Sequence, residues 1–345
     1  MSFDFTICII TFNRGERTLK LVNTLLEELP KKWCVMVLDN TSTRGVEYYQ
    51  EIKNISTINE QVSYIRHEVN GHFQGNYLSC FKHVKSKYFT ILSDEDFIDF
   101  SELELLLNEI KLEKNLGVCR PSIKQHKDLD RPLNSVNFGD SFSLAGEEAM
   151  KNFCFTTNYI SGIIYNLELI NTYNLVPILE KNLEKNSTYP HIYFDLLISA
   201  KCDVEFSSRA TVLEGLPEKT LDERGIENTY FEHVGGYGIG ARINQFLVLR
   251  DGIFDAVKLL NKEEKDEFII FLQIYLLLVQ KYFYLISTCN MPSYKKNHME
   301  ESLLLESFFY ITTSAVFAYP SIEPYKDVVL EGITSVYNHF KQKIN

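Results

Sequence analysis

Over its first hundred residues the chain alternates short apolar, β-branched runs with amphipathic stretches, and that alternation admits few folds. Residues 5–10 form such a run and stop at Thr11-Phe12-Asn13-Arg14-Gly15. A helical pattern follows, with Leu19, Val22, Leu25, Leu26 and Leu29 along one face and Pro30 closing it. Residues 34–38 make a second buried strand ending at Asp39-Asn40-Thr41-Ser42, and residues 62–66 a short third one. The glycine-punctuated loop 69–76 leads into a helix over 77–84, and then a strand over 88–92. Strands alternating with helices predict βαβ units and a mostly parallel sheet. Right-handed crossovers bring the polar strand ends to one edge of that sheet, where ligands of open α/β sheets sit.

Beyond residue 100 the pattern changes. A helix is expected over 103–116, then an irregular stretch containing Pro121 and Pro132 that runs to about Gly146 and suits a loop-rich acceptor side. A strand is expected over 160–165, a helix starting near Pro190-His191, and a flexible glycine boundary over 235–240. Residues 243–345 read as helical. The expected division is a catalytic unit over 1–240, with a donor half at 1–100 and an acceptor half at 101–240, and a helical unit over 241–345.

The formal net charge of -11 argues against a broad phosphate-backbone binder, which would need a basic face, so no nucleic-acid partner is expected. The seven cysteines lie singly, without a CxxC pair and mostly within apolar runs, which reads as buried thiols in a reducing compartment. The first residues lack a basic and then apolar leader, so a cytoplasmic location is expected. Residues 268–286 are apolar enough to raise a membrane span, but Gln273, Gln280 and Lys281 favour a buried bundle helix.

The fourth strand ends in Ser93-Asp94-Glu95-Asp96. On an extended segment Asp94 and Asp96 share a face and Glu95 points away. Two carboxylates at a strand end suit a hard divalent cation, Mg²⁺ or Mn²⁺, whose shell is completed by substrate phosphates. A solvated acidic loop is the alternative.

Taken in order, Ile9-Ile10-Thr11-Phe12-Asn13-Arg14, Val37-Leu38-Asp39-Asn40-Thr41-Ser42, Asn70-Gly71 with Gly75-Asn76, and Ser93-Asp94-Glu95-Asp96 resemble glycosyltransferase family 2, the inverting nucleotide-sugar enzymes of the GT-A fold. The resemblance covers roughly residues 3–100. It implies a GT-A α/β fold, a Rossmann-like mixed sheet flanked by helices, with a helical C-terminal region. It also implies a donor site drawn from Thr11, Phe12, Asn13, Arg14, Asp39, Arg66, Asn76 and Asp94. Phe12 is then placed against the nucleobase, or in the core; Asp39 accepts hydrogen bonds from base or ribose, or caps a helix. Asp94 and Asp96 hold the metal on the diphosphate, Asp96 directly, and His233 is a candidate third ligand. The family places a carboxylate base at a helix start in the second half; here the candidates are His191 and Asp195, four residues apart on one helical face, one as base and the other orienting it.

The expected reaction is metal-dependent transfer of a sugar, with inversion, from a UDP-sugar to a glycan or lipid-linked glycan acceptor in surface polysaccharide synthesis. The aromatic C-terminal helices suit packing on the catalytic unit, homodimerisation, or peripheral contact with the cytoplasmic face of the inner membrane. A sugar nucleotidyltransferase is a second reading, though Thr11-Phe12-Asn13-Arg14-Gly15 makes a poor phosphate loop. A catalytically degenerate binding module is a third.

Overall fold

The computed structural model describes residues 3–125, 136–183, 189–215, 239–287 and 301–344. The elements in order are β1 (Phe5–Thr11), α1 (Gly15–Glu28), β2 (Trp33–Asp39), α2 (Val46–Ile58), β3 (Val62–Arg66), α3 (His72–His83), β4 (Tyr88–Ser93), β5 (Phe97–Ile98), α4 (Phe100–Ile110) and β6 (Leu116–Gln125). Then follow β7 (Ser141–Ser143), α5 (Glu147–Phe153), β8 (Ile164–Asn166), α6 (Leu167–Thr172), α7 (Leu175–Leu183), α8 (Pro190–Lys201) and β9 (Asp203–Glu214). Four further helices are α9 (Ile239–Lys258), α10 (Glu264–Ser287), α11 (Glu301–Thr312) and α12 (Lys326–Ile344).

The strands lie in the order β3-β2-β1-β4-β8-β6-β9-β5, with β7 beside β9. β1, β2, β3 and β4 are parallel, as the alternation predicts, while β8 runs antiparallel between β4 and β6 and makes the sheet mixed. β1 is flanked by β2 on one side and β4 on the other, so chain order reverses there, which is where such sheets open a crevice beyond their strand ends.

Period-two patterning divides the core in two. Phe5, Ile7 and Ile9 pack with α1, α2 and α4, whereas Cys8, Ile10, Phe89 and Ile91 face α3, α5, α7, α8 and the C-terminal helices. Gly15 opens α1 where any side chain would collide: a Cβ would stand 2.3 Å from the Gly45 carbonyl oxygen. Four strands, β5, β6, β7 and β9, were not foreseen. β6 carries Pro121, and its register against β9 shifts at Pro121/Ser122, the kind of irregularity at which a strand tolerates proline. The helix expected over 103–116 ends at Ile110, because residues 116–125 pair with β9 instead.

α10 contains the segment Glu264–Tyr284, the one described helix long and apolar enough to cross a membrane; 61% of its most apolar stretch is buried inside the fold. Phe271, Ile274, Tyr275, Leu278 and Phe283 on α10 belong to the same apolar core as α8 and the inner face of the sheet. Burial of the six described cysteines agrees with their reading as small apolar side chains. Of the glycine boundary, residues 235–238 and the candidate His233 lie outside the described residues, whereas Ile239 and Gly240 already belong to α9.

Candidate active site

The parallel register sets Thr11 beside Asp39 and Ile10 beside Ser93, so three polar strand ends stand next to one another at the crevice. Asn13 turns the chain there with a positive φ of 57°, a conformation asparagine tolerates. Its side-chain oxygen accepts from the backbone N–H of Thr43 (2.8 Å) and Arg44 (3.0 Å), and its own N–H donates to Ser42 Oγ (2.8 Å). Asn13 therefore locks the β1 turn to the β2 turn. The Thr11 hydroxyl faces away from the crevice, bonded to Thr18 Oγ1 and Tyr49 OH, both at 2.8 Å. Asn76 is buried and donates to the Leu38 carbonyl (3.2 Å), bracing the same strand ends from below. Phe12 is half-buried beside them.

Asp39 is fully buried, and both its oxygens are engaged. Oδ1 accepts from the Ser42 N–H and Oδ2 from the Tyr64 hydroxyl, each at 2.8 Å, with Arg66 Nε 3.8 Å away. Burial and the adjacent Asp39 carboxylate raise the Tyr64 pKa, so the phenol stays protonated and donating. The helix-cap alternative for Asp39 does not hold: α2 begins only at Val46, after Gly45, so Asp39 caps the loop.

At the acidic motif the structure departs from the extended geometry. Residues 94 and 95 form a turn, with the Asp96 N–H bonded back to the Ser93 carbonyl at 3.2 Å. The turn puts Asp94 and Glu95 together, rather than Asp94 and Asp96: Arg14 Nη1 donates to Asp94 Oδ1 (2.6 Å) and Glu95 Oε2 (3.2 Å). Asp96 goes inward, 2% exposed. Its carboxylate accepts from Tyr159 OH (2.7 Å), Ser161 Oγ (2.5 Å) and the Gly215 N–H (3.0 Å). Burial raises its pKa, although all three hydrogen bonds pull the other way. The anchor also holds the end of β9 against the turn, where a Cβ on Gly215 would meet the Glu95 carbonyl oxygen at 1.5 Å.

His191 and Asp195 both lie on α8, which begins at Pro190 as a first-turn proline allows. Each is only 1% exposed, and His191 does not orient Asp195: neither ring nitrogen has a hydrogen-bond partner. Arg120, on the unforeseen strand β6, does so instead, with its Nη2 bonded to Asp195 Oδ2 in a buried ion pair. Asp195 Oδ1 is left without a partner. Burial pushes the Asp195 pKa up to about 6 against the opposing pull of Arg120. Arg120 Nη1 also reaches the Tyr159 carbonyl at 3.4 Å, so one relay of contacts joins Asp195, Arg120, Tyr159 and Asp96. Nothing in the local sequence marks Tyr159, Ser161 or Arg120.

A glycosyl transferase family 2 model matches residues 6–164, the span from β1 to the start of β8 that carries the strand ends, the acidic turn and Arg120. Residues 6–164 belong to glycosyl transferase family 2. No curated protein matches the chain in sequence. Among solved structures, residues 1–349 of S. aureus TarS superpose with a TM-score of 0.60 at 13% identity, over 99% of this chain and 92% of that one. The same TarS segment in complex with UDP-GlcNAc gives 0.57 at 13% identity, with the same coverage. GalNAc-T7 with UDP, GalNAc and Mn²⁺ gives 0.50 at 13% identity over 74% of this chain and 48% of that one. The chain thus has the GT-A fold with a helical C-terminal region, and residues 6–164 are a glycosyltransferase domain.

Proposed function

We propose that the protein is an inverting, metal-dependent glycosyltransferase that moves a sugar from a UDP-sugar to a glycan or lipid-linked glycan acceptor of a surface polysaccharide. The observation that carries this reading is the convergence of Asp39, Arg14, Asp94 and Glu95 at one sheet edge, where Asn13 fixes the β1 turn to the β2 turn and Arg14 ties the acidic turn to them. The complexes of TarS with UDP-GlcNAc and of GalNAc-T7 with UDP and Mn²⁺ support a uridine donor and a divalent ion.

In this reading Asp39, with Tyr64 and the Ser42 N–H beside it, meets the polar edge of the base or the ribose, and half-buried Phe12 offers its ring. Asp94 and Glu95 fit a hard cation: two carboxylate groups plus substrate phosphates are an ordinary shell for Mg²⁺ or Mn²⁺. Asp96, saturated by three donors, positions the turn. When bound, the cation neutralises charge growing on the departing diphosphate. Arg14, released from the two carboxylates, stands where it can bind phosphate oxygens.

Asp195 takes the proton from the acceptor hydroxyl through its free Oδ1, while Arg120 fixes Oδ2. With a pKa near 6 it is ionised at neutral pH, as a base must be. His191 is held neutral, burial and the nearby cations driving its pKa well down, and so is the weaker base.

Thermal unfolding with UDP, GDP and CDP, each with and without Mn²⁺, tests the donor assignment, because a ligand of the native state raises its stability by mass action. UDP with Mn²⁺ is expected to raise Tm selectively, and Glu95→Gln to weaken that response about tenfold in Kd, or about 1.4 kcal/mol. An unaltered response in Glu95→Gln together with loss in Asp96→Asn would return the metal to Asp96.

A further inference from the structure

We propose that Arg14 makes the divalent cation and the donor's diphosphate bind as a pair: its guanidinium is the resident counter-charge of Asp94 and Glu95, and it yields them to a cation only when phosphate oxygens take it instead. The proposal rests on the transfer reading above and adds to it the control of that site.

The guanidinium stands on the two carboxylates which that reading assigns to the cation. Its Nη1 lies 2.6 Å from Asp94 Oδ1 and 3.2 Å from Glu95 Oε2. A dication on those oxygens would share their space with a positive nitrogen, so guanidinium and cation exclude each other there. The backbone beneath the side chain is fixed. The Arg14 N–H donates to Tyr49 OH at 3.0 Å, and its carbonyl accepts from the Thr18 N–H at 3.0 Å and from Thr18 Oγ1 at 2.9 Å. Exchange therefore falls to the bonds of the side chain itself. That side chain has an open flank, being 18% exposed against 2% for Asp94.

Burial decides the order of events. The Asp94 carboxylate is nearly enclosed, and a buried charge is strongly disfavoured without a partner, so Arg14 leaves it only as another cation arrives. A lone Mn²⁺ has to drive the guanidinium off two anions and leave it beside a dication. A lone diphosphate meets Asp94 and Glu95 as like charges. With both ligands present the charges match: Asp94 and Glu95 hold the cation against the phosphates, and the planar fork of Arg14 takes the phosphate oxygens that remain. The two ligands are thereby coupled, and the coupling is reciprocal.

The test uses the full chain as wild type, Arg14→Gln, Arg14→Lys and Arg44→Gln. Free Mn²⁺ is counted by its electron paramagnetic resonance signal in titrations without nucleotide, and UDP binding is read by calorimetry at saturating Mn²⁺. In Arg14→Gln, Mn²⁺ alone is expected to bind about tenfold tighter and UDP about tenfold weaker, opposite shifts that a general loosening of the turn does not produce. Arg14→Lys keeps the charge but loses the fork, and it serves should the glutamine variant fail to fold. An ammonium spans the two carboxylates less well, so Mn²⁺ alone is expected to bind about threefold tighter there. Arg44→Gln removes the same charge from an exposed position of the neighbouring turn, whose backbone N–H Asn13 holds, and is expected to leave Mn²⁺ affinity unchanged. Wild-type Mn²⁺ affinity in both Arg14 variants, wild-type UDP affinity in Arg14→Gln, or an equal gain in Arg44→Gln overturns the proposal. Wild type with UDP and Mn²⁺ tests the donor site by itself. Joint binding there with unchanged Mn²⁺ affinity in the variants refutes the exchange alone, whereas no binding in wild type refutes the donor site on which it rests.

Discussion

Replacing Asp96 by alanine separates an anchoring role from a metal-binding one. A carboxylate at an open strand end could be removed with little effect on folding. Asp96, however, is 2% exposed and accepts three hydrogen bonds, from Tyr159, Ser161 and the Gly215 N–H. Hydrogen bonds to a charged group contribute about 1.5 kcal/mol each at the low end, so the three together are worth about 4.5 kcal/mol. Burial of the carboxylate, the cause of its raised pKa, offsets part of that. Ser161 keeps one partner, since its Oγ also accepts the Ser93 N–H at 3.0 Å, but the Gly215 N–H cannot turn to another acceptor. The net loss is expected to be about 3 kcal/mol, a large share of the 5–15 kcal/mol typical of folded proteins. With a urea m-value of about 3 kcal/mol/M, the unfolding midpoint falls by about 1 M. Glu95→Gln, at the partly exposed side of the same turn, is expected to leave the midpoint within about 0.2 M. Equal midpoints for Asp96→Ala and wild type would refute the anchor and the energetic argument with it.

Asp195 gives a prediction in pH. Its folded pKa is raised from 3.8 to about 6, so the protonated form is the one the fold favours. Its contribution is fully present below pH 3.8 and is lost as pH rises through about 6, a difference of about 3 kcal/mol for a shift of this size. The stability of wild type relative to Asp195→Asn, measured by urea unfolding from pH 4 to 7, is therefore expected to decline across that window, and a flat difference contradicts it. The transfer rate has the opposite dependence: it falls below about pH 6 as the base becomes protonated, and an acid limb lying near pH 4 would exclude Asp195 as base. Gly15→Ala puts a Cβ 2.3 Å from the Gly45 carbonyl oxygen, where backbone has to move. Strain of that kind costs about 1–3 kcal/mol, and because the movement loosens the Arg14 turn, UDP affinity should fall with it in calorimetry.

The sequence by itself determined the parallel strands β1 to β4, because the information there is local. Period-two apolar runs fix the strands, amphipathic spacing fixes α1, and parallel crossovers then require Thr11, Asp39 and Ser93 to end side by side. Even α8 was legible from Pro190. Tertiary structure decided what depends on long-range pairing and on desolvation. β6 was hidden by Pro121, and its identity as a strand comes from pairing with β9 more than eighty residues away. The facing of the acidic motif was decided by a tight turn, so that Glu95 replaced Asp96 beside Asp94. Arg120 and Asp195 are 75 residues apart in sequence and meet only through the packing of α8 on β6. Spacing in a sequence records which side chains share a face; it does not record which charges will be left together in a medium that screens them poorly.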